Sequence, residues 1–187
     1  MEGNGLPAIL QQINWVDIFF IILLLGMVYK GSRVGVGGQI IPLAGWIVLL
    51  FVSIGYYQYL SEAVFGFSVQ AWAKPISFFA ISACLFTAIK FFERIFSAIH
   101  SEEVAVLEKI GGAMVAAFRA FISFGIIGIF MLLCPIGFLR DSAATGSKTC
   151  MYFVKMDAAI YSGITSLMGE GKKRSTEELL KEFTASK

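Results

Sequence analysis

The sequence predicts an all-α, polytopic membrane protein: four transmembrane helices followed by a C-terminal amphipathic helix. Three observations carry that reading. Of the 187 residues, 57% are hydrophobic and only 15% charged, where a soluble domain carries about a quarter charged residues. The charges leave long clean windows: Val34 to Ser61 holds 28 residues without one, and Ala120 to Leu139 another 20. A spanning helix needs about 20 mostly apolar residues, and a chain this short cannot bury so much apolar surface as a soluble core.

The first span runs from Ile13 to Tyr29, "INWVDIFFIILLLGMVY". Trp15 suits a membrane interface, where an indole finds apolar and polar surroundings together. Asp17 stands near the start, where the positive end of the helix dipole favours a carboxylate; its second reading is an ion or partner site. "KGSRVGVGG", Lys30 to Gly38, breaks the helix with four glycines and sets Lys30 and Arg33 in a tight turn. The second span runs from Gly38 to Tyr59, with Pro42 in its first turns, Gly45 expected at a helix contact and Trp46 as an interface anchor. "YYQYL" closes it as an aromatic belt at the opposite interface.

Ser61 to Lys74 reads as a polar–aromatic loop, partly helical. The third span runs from Pro75 to Phe96. Its charge-free part is 15 residues, or about 22 Å at 1.5 Å per residue. Lys74 and Lys90 therefore serve as snorkelling ends, or the span runs short and thins the bilayer. A polar linker, Ser97 to Lys109, holds the single histidine, His100. The fourth span runs from Gly112 to Leu139, with Pro135 near its far end.

Beyond Arg140, "DSAATGSK" reads as a loop. From Thr149 to Met168, apolar residues fall at Phe153, Met156, Ile160, Ile164 and Leu167, a helical spacing. Lys155, Asp157, Ser162 and Ser166 fall on other faces. This predicts an amphipathic helix lying on the membrane or against the bundle. "GEGKKR" breaks it, and "STEELLKEF" opens with a capping-box pattern, Ser175 to Glu178, as a short mobile helix. The chain thus divides into a short N-terminal segment (1–12), a four-span membrane domain (13–140), a loop and amphipathic helix (141–170) and a mobile polar tail (171–187).

Arg119 is the one charge inside the fourth apolar segment. The 20 clean residues that follow it span about 30 Å, which puts Arg119 near the inner interface. Glu93, at the inner end of the third span, is its expected partner. Around it stands a stripe of small residues, Gly111, Gly112, Ala116 and Ala120, of which Gly112, Ala116 and Ala120 form a small-xxx-small ridge for close helix approach. Arg119 reads as an interfacial anchor; its functional reading is a charged element of a conduction path or partner site.

Counting Lys and Arg near span ends gives the orientation. One side holds six (Lys30, Arg33, Lys90, Arg94, Lys109, Arg119) and the other four (Lys74, Arg140, Lys148, Lys155). The bias places both termini outside the cytoplasm. The first 14 residues carry only Glu2 as a charge, unlike the positive start of a cleavable signal, so the first span is expected to stay in the mature protein. Cys84, Cys134 and Cys150 show no metal-ligand spacing and read as small buried hydrophobes. No cofactor or metal is expected. No basic cluster is interleaved with aromatics, so nucleic acid is not an expected partner. The expected partners are the lipid bilayer, a second copy of the chain and other membrane proteins.

The order of these features resembles the colicin V production protein (CvpA) family of bacterial inner-membrane proteins. The stretches that carry the resemblance are "INWVDIFFIILLLGMVYKGSRVGVGGQIIPLAGWIVLLFVSIGYYQYLSE" and "LEKIGGAMVAAFRAFI". The family pattern has W-x-D opening the first span, a basic Arg/Gly turn, Gly-Trp in the second span and a Gly-rich stretch ending Arg-Gly at the fourth. Trp15 and Asp17, Gly31, Arg33 and Gly35, Gly45 and Trp46, and Gly111 and Arg119 take those places. Ala120 departs from the pattern, standing where the family usually has glycine. The resemblance covers residues 13–140 and implies a four-span protein linked to toxin production or export and to envelope homeostasis. It transfers no catalytic residue.

The leading functional reading is therefore a non-enzymatic membrane protein that assists production or export of a colicin V-like toxin, or envelope homeostasis, through helix packing and membrane partners. A small transporter or channel subunit is the alternative, but the middle of the spans offers it little besides Ser53, Ser82, Thr87 and Ser123. An intramembrane enzyme would need a paired nucleophile and base or paired acids within the spans, and the sequence shows neither.

Overall fold

The computed structural model describes residues 14–65, 70–97, 105–167 and 175–185. These residues build α1 (Trp15–Val34), α2 (Gly37–Phe65), α3 (Gln70–Ser97), α4 (Val106–Leu133), a short α5 (Gly137–Asp141), one π-helical turn (Ser142–Gly146), α6 (Lys148–Leu167) and α7 (Thr176–Ala185). Among the described residues every regular element is helical. Among these residues, four helices are long and apolar enough to cross a bilayer: Trp15–Val34, Gly37–Val64, Ala71–Ile95 and Val106–Leu133.

Local chemistry sets the helix ends. Asn14 caps α1: its side-chain oxygen accepts from the Val16 N–H at 3.4 Å, and Asp17 follows in the first turn. At the other end Gly35 takes φ 74°, a left-handed conformation that glycine adopts without cost. The expected break at Lys30 to Gly38 is therefore much shorter than predicted. Lys30 and Arg33 remain helical, and only Gly35 and Val36 form the turn. α4 stops before Pro135, which lacks an N–H and pushes its predecessor out of helical geometry; Cys134 has ψ 132°. The fourth span thus ends at Leu133, and the remainder to Leu139 belongs to the break and α5.

Other boundaries move for similar reasons. The expected loop from Ser61 is helical to Phe65, and α3 starts at Gln70, so Pro75 stands inside the helix. "DSAATG" is helical, where a loop was expected. The "YYQYL" belt divides: Tyr56 and Tyr59 are exposed while Tyr57 is fully buried. The N-terminal segment 1–12, His100 with most of its linker, and "GEGKKR" lie outside the described residues.

Packing makes α4 the hub. Two-thirds (67%) of its spanning window is buried, against 17% for α1 and for α3. α1 runs antiparallel to α4, with Phe20 stacked on Phe124 at 4.5 Å between ring centroids. α2 and α3 form a second antiparallel pair, joined by Ser53 and Ser82 hydroxyls at 3.0 Å. α6 runs back along α4 and also touches α1 through Phe20–Phe153 and α2 through Phe51–Tyr161. It therefore lies on protein, which resolves the two placements the sequence left open.

α6 buries a different stripe from the one expected. Cys150, Phe153, Val154, Asp157, Ala158, Tyr161 and Thr165 are buried, while Leu167 is exposed. α7 has the expected capping box, with the Ser175 N–H donating to Glu178 at 3.0 Å. The polar tail was expected to be mobile, yet Leu179 and Phe183 of α7 are fully buried. Tyr57 and Gln58 both donate to Glu182, and Arg140 donates to the Thr184 carbonyl. These contacts tie α7 to the ends of α2 and α5.

Candidate functional site

Three faces of α4 carry the residues of interest. The first meets α1. A Cβ on Gly31 would overlap the Ala116 Cβ and stand 2.7 Å from the Gly112 carbonyl oxygen. A Cβ on Gly112 would stand 2.5 Å from the Gly31 carbonyl oxygen and 2.8 Å from the Gly35 carbonyl carbon. Gly112, Ala116 and Ala120 are all buried along this face, and Gly111 approaches Val36 just as closely. The small residues let two backbones touch, which brings van der Waals contact where lipid provides no hydrophobic drive.

The second face meets α3. Arg119 is only 3% exposed, and its Nη1 lies 3.3 Å from Glu93 Oε1. Lys90 shares that carboxylate at 2.7 Å. A buried cation without a counter-ion would be very costly, so the pair explains why Arg119 stands in an apolar helix. Its Nε, however, is buried without an acceptor among the described residues, as is the Nε1 of Trp46 on α2. Beyond this cluster α3 leaves α4 only lightly touched, and a lateral cleft of about 310 Å³ opens among α2, α3 and α4. Trp46, Phe78, Phe79, Phe86, Ser123 and Phe130 are among its lining residues.

The third face meets α6. A Cβ on Gly125 would overlap the Asp157 carboxylate, and one on Gly128 would stand 2.8 Å from Cys150 Sγ. Asp157 is fully buried, and neither carboxylate oxygen has a hydrogen-bond partner among the described residues. Burial pushes its carboxyl well above the usual carboxylate range. At the start of α6, Ser147 Oγ donates to Asp17 Oδ1 at 2.5 Å and accepts from the Cys150 N–H at 3.0 Å. Asp17 thereby anchors the first turn of α6 through one hydroxyl. Burial, then the Asp17 carboxylate, push the Cys150 thiol up to about 12, so it stays protonated and inert.

The structure brings together Arg119 and Glu93, with Lys90, and sets Gly112, Ala116 and Ala120 against α1. Gly45 meets α3, where a Cβ would stand 2.9 Å from Ile89. Arg33 stays apart: it is exposed, with its guanidinium 4.7 Å over the Tyr29 ring. Lys30 is exposed at the end of α1. Trp15 is exposed and donates to Ser142 Oγ at 3.2 Å. Trp46, expected as an interface anchor, instead lines the cleft, edge-on to Phe86. Lys90 lies over that same Phe86 ring at 5.4 Å. The sequence reading gave no role to Asp157, which it put on another face than the apolar stripe, nor to Gly125 and Gly128, and it named Gly31 only for its place in the family pattern. The available signal was the Cys150–Val154–Ala158 row of small residues at every fourth position, which matches glycines rather than bulk.

A bundle of four long apolar helices, two of them joined by the Arg119–Glu93 pair, is a multi-pass membrane protein. The chain belongs to the colicin V production protein family, whose model matches residues 16–158. The match runs past the four spans and includes α6 as far as Ala158, farther than the motifs in the spans reach. No curated protein and no solved structure matches the chain.

Proposed function

We propose that this protein is a non-enzymatic assembly component of the bacterial inner membrane, with both termini outside the cytoplasm, and assists production or export of a colicin V-like toxin. Family membership gives the link to colicin V production. One observation carries the mode of action: the interior of the bundle is filled with side chains. Ile122, Phe124, Ile129 and Leu132 of α4 are all closed off from solvent, and α6 fills the face they leave. A packed bundle of this kind acts through its surface. α1 offers Ile18, Ile22 and Leu25 outward on one face, at the spacing a second transmembrane helix would engage.

The test places a photo-crosslinking residue at Ile22 or Leu25 in toxin-secreting cells. A discrete protein adduct, with toxin release lowered by bulky substitutions on the same face, supports the reading. Lipid adducts alone with unchanged release would sink it. The transporter alternative is favoured by one observation, the buried Asp157 carboxyl beside Gly125, which has no hydrogen-bond partner among the described residues, since ionisable groups at membrane depth mark ion pathways. Proton or solute flux in liposomes that Asp157→Asn abolishes would shift the conclusion to that class.

A further inference from the structure

We infer that the cleft among α2, α3 and α4 is a binding site for a bilayer glycerophospholipid with an anionic headgroup. The inference stands independently of the assembly reading above. The cleft measures about 310 Å³, at the lower end of the range of about 300–1,000 Å³ for small-ligand sites. Its walls are aromatic and aliphatic, and Phe79 and Phe86 at its mouth are exposed on the outside of the bundle. Both belong to a spanning helix, so the mouth faces acyl chains.

A charged cluster one helical turn beyond the lining of the cleft selects the headgroup. Phe86 lines the cleft, and Lys90 follows one helical turn later with its ammonium over that ring. Ser123 lines the opposite wall, and Arg119 precedes it by one turn; the Ser123 hydroxyl donates to the Arg119 carbonyl at 2.9 Å. Lys90 and Arg119 share one carboxylate, Glu93, so the cluster carries one surplus positive charge. Two buried donors lack acceptors among the described residues: Arg119 Nε in the cluster, and Nε1 of Trp46, which lines the cleft and meets Phe86. Unpaired buried donors are rare and call for an acceptor. Phosphate and ester oxygens supply acceptors, a phosphate supplies the missing negative charge, and an acyl chain fills the apolar remainder. A zwitterionic lipid would fill the cleft but leave the surplus charge unmatched.

The experiment reconstitutes the full chain with Trp46 as its sole tryptophan, through Trp15→Phe and Trp72→Phe. Vesicles of phosphatidylcholine carry a minor fraction of acyl-brominated lipid, either phosphatidylglycerol or phosphatidylcholine, and bromine quenching of Trp46 is read. Quenching should be about fivefold more efficient with the brominated phosphatidylglycerol, the preference that one interfacial cation confers, and high salt should reduce it. Ala83→Phe, which fills the cleft from α3, should remove the excess, and Lys90→Gln should reduce it while Glu93 keeps Arg119 as its counter-ion. Equal quenching by the two lipids would show ordinary annular contact and overturn the proposal. Selective quenching that survives Ala83→Phe in correctly folded protein would place the lipid elsewhere and overturn it too.

Discussion

Where α4 meets α1, glycine and alanine bring backbone against backbone: Gly31 and Gly35 on one side, Gly112 and Ala116 on the other. Where the same helix meets α3, Ser123, Ile127 and Phe130 face Ser82, Phe79 and Phe86 across an open cleft. The two faces differ mainly in side-chain size. Small residues close one crossing completely. Bulky residues hold the other apart, and the pair from Arg119 to Glu93 spans what remains. In a bilayer no hydrophobic drive presses helices together, so residue size alone can decide which seam is sealed and which stays open to lipid.

The largest expected effect comes from the open seam. Glu93→Gln leaves Arg119 buried without its counter-ion and should cost about 3–5 kcal/mol, read as a fall in the thermal midpoint of detergent-solubilised protein. The double variant Glu93→Leu with Arg119→Met should recover most of that loss; a double variant as unstable as the single would show that the pair does not carry the seam. At the closed seam, Gly112→Ala forces a Cβ onto the α1 backbone, which has no side chain to swing away, and should cost about 1–3 kcal/mol. Unchanged stability would mean the crossing is looser than its geometry.

The α6 seam sharpens the comparison by pH. A carboxyl whose pKa folding raises binds its proton more tightly folded than unfolded. Between the ordinary carboxylate value and the raised one, the folded chain holds more protons, so stability falls as pH rises. Asp157→Asn should flatten that slope, worth up to about 1.4 kcal/mol per pH unit for one proton. An equally steep decline in the variant would assign the slope to another group. The smallest effect belongs to Gly26→Ala on α1. Nothing lies within 4 Å of the added Cβ, so the variant should be neutral or stabilised by up to about 1 kcal/mol. Destabilisation there would show that α1 tolerates no Cβ even away from α4.

Much of this was legible in the sequence. The spans followed from clean apolar windows, and the Arg119–Glu93 pair followed from the cost of a lone charge in such a window. The Gly112–Ala116–Ala120 ridge was also readable, because small residues at every fourth position have one obvious use. The face of α6 was not. A stripe chosen by bulk selects Met156, Ile160, Ile164 and Leu167, yet the helix lies so close to Gly125 and Gly128 that Cys150, Val154 and Ala158 meet them instead. Asp157 then follows Val154 and Phe153 into the interior. Trp46 was misjudged for a related reason: an indole prefers an interface, but here a neighbouring helix leaves a gap for it. The position of a gap depends on three helices together, and no single stretch of sequence records it.

The seat of α6 has a consequence for how the molecule is made. α6 touches α1 at Phe20, α2 at Phe51 and α4 at Phe121 and Phe124, and the ribosome delivers it only after all four spans. The notch at Gly125 and Gly128 therefore cannot be filled until the chain beyond Arg140 has been made. The cover of that face of α4 thus depends on chain that is made after every span.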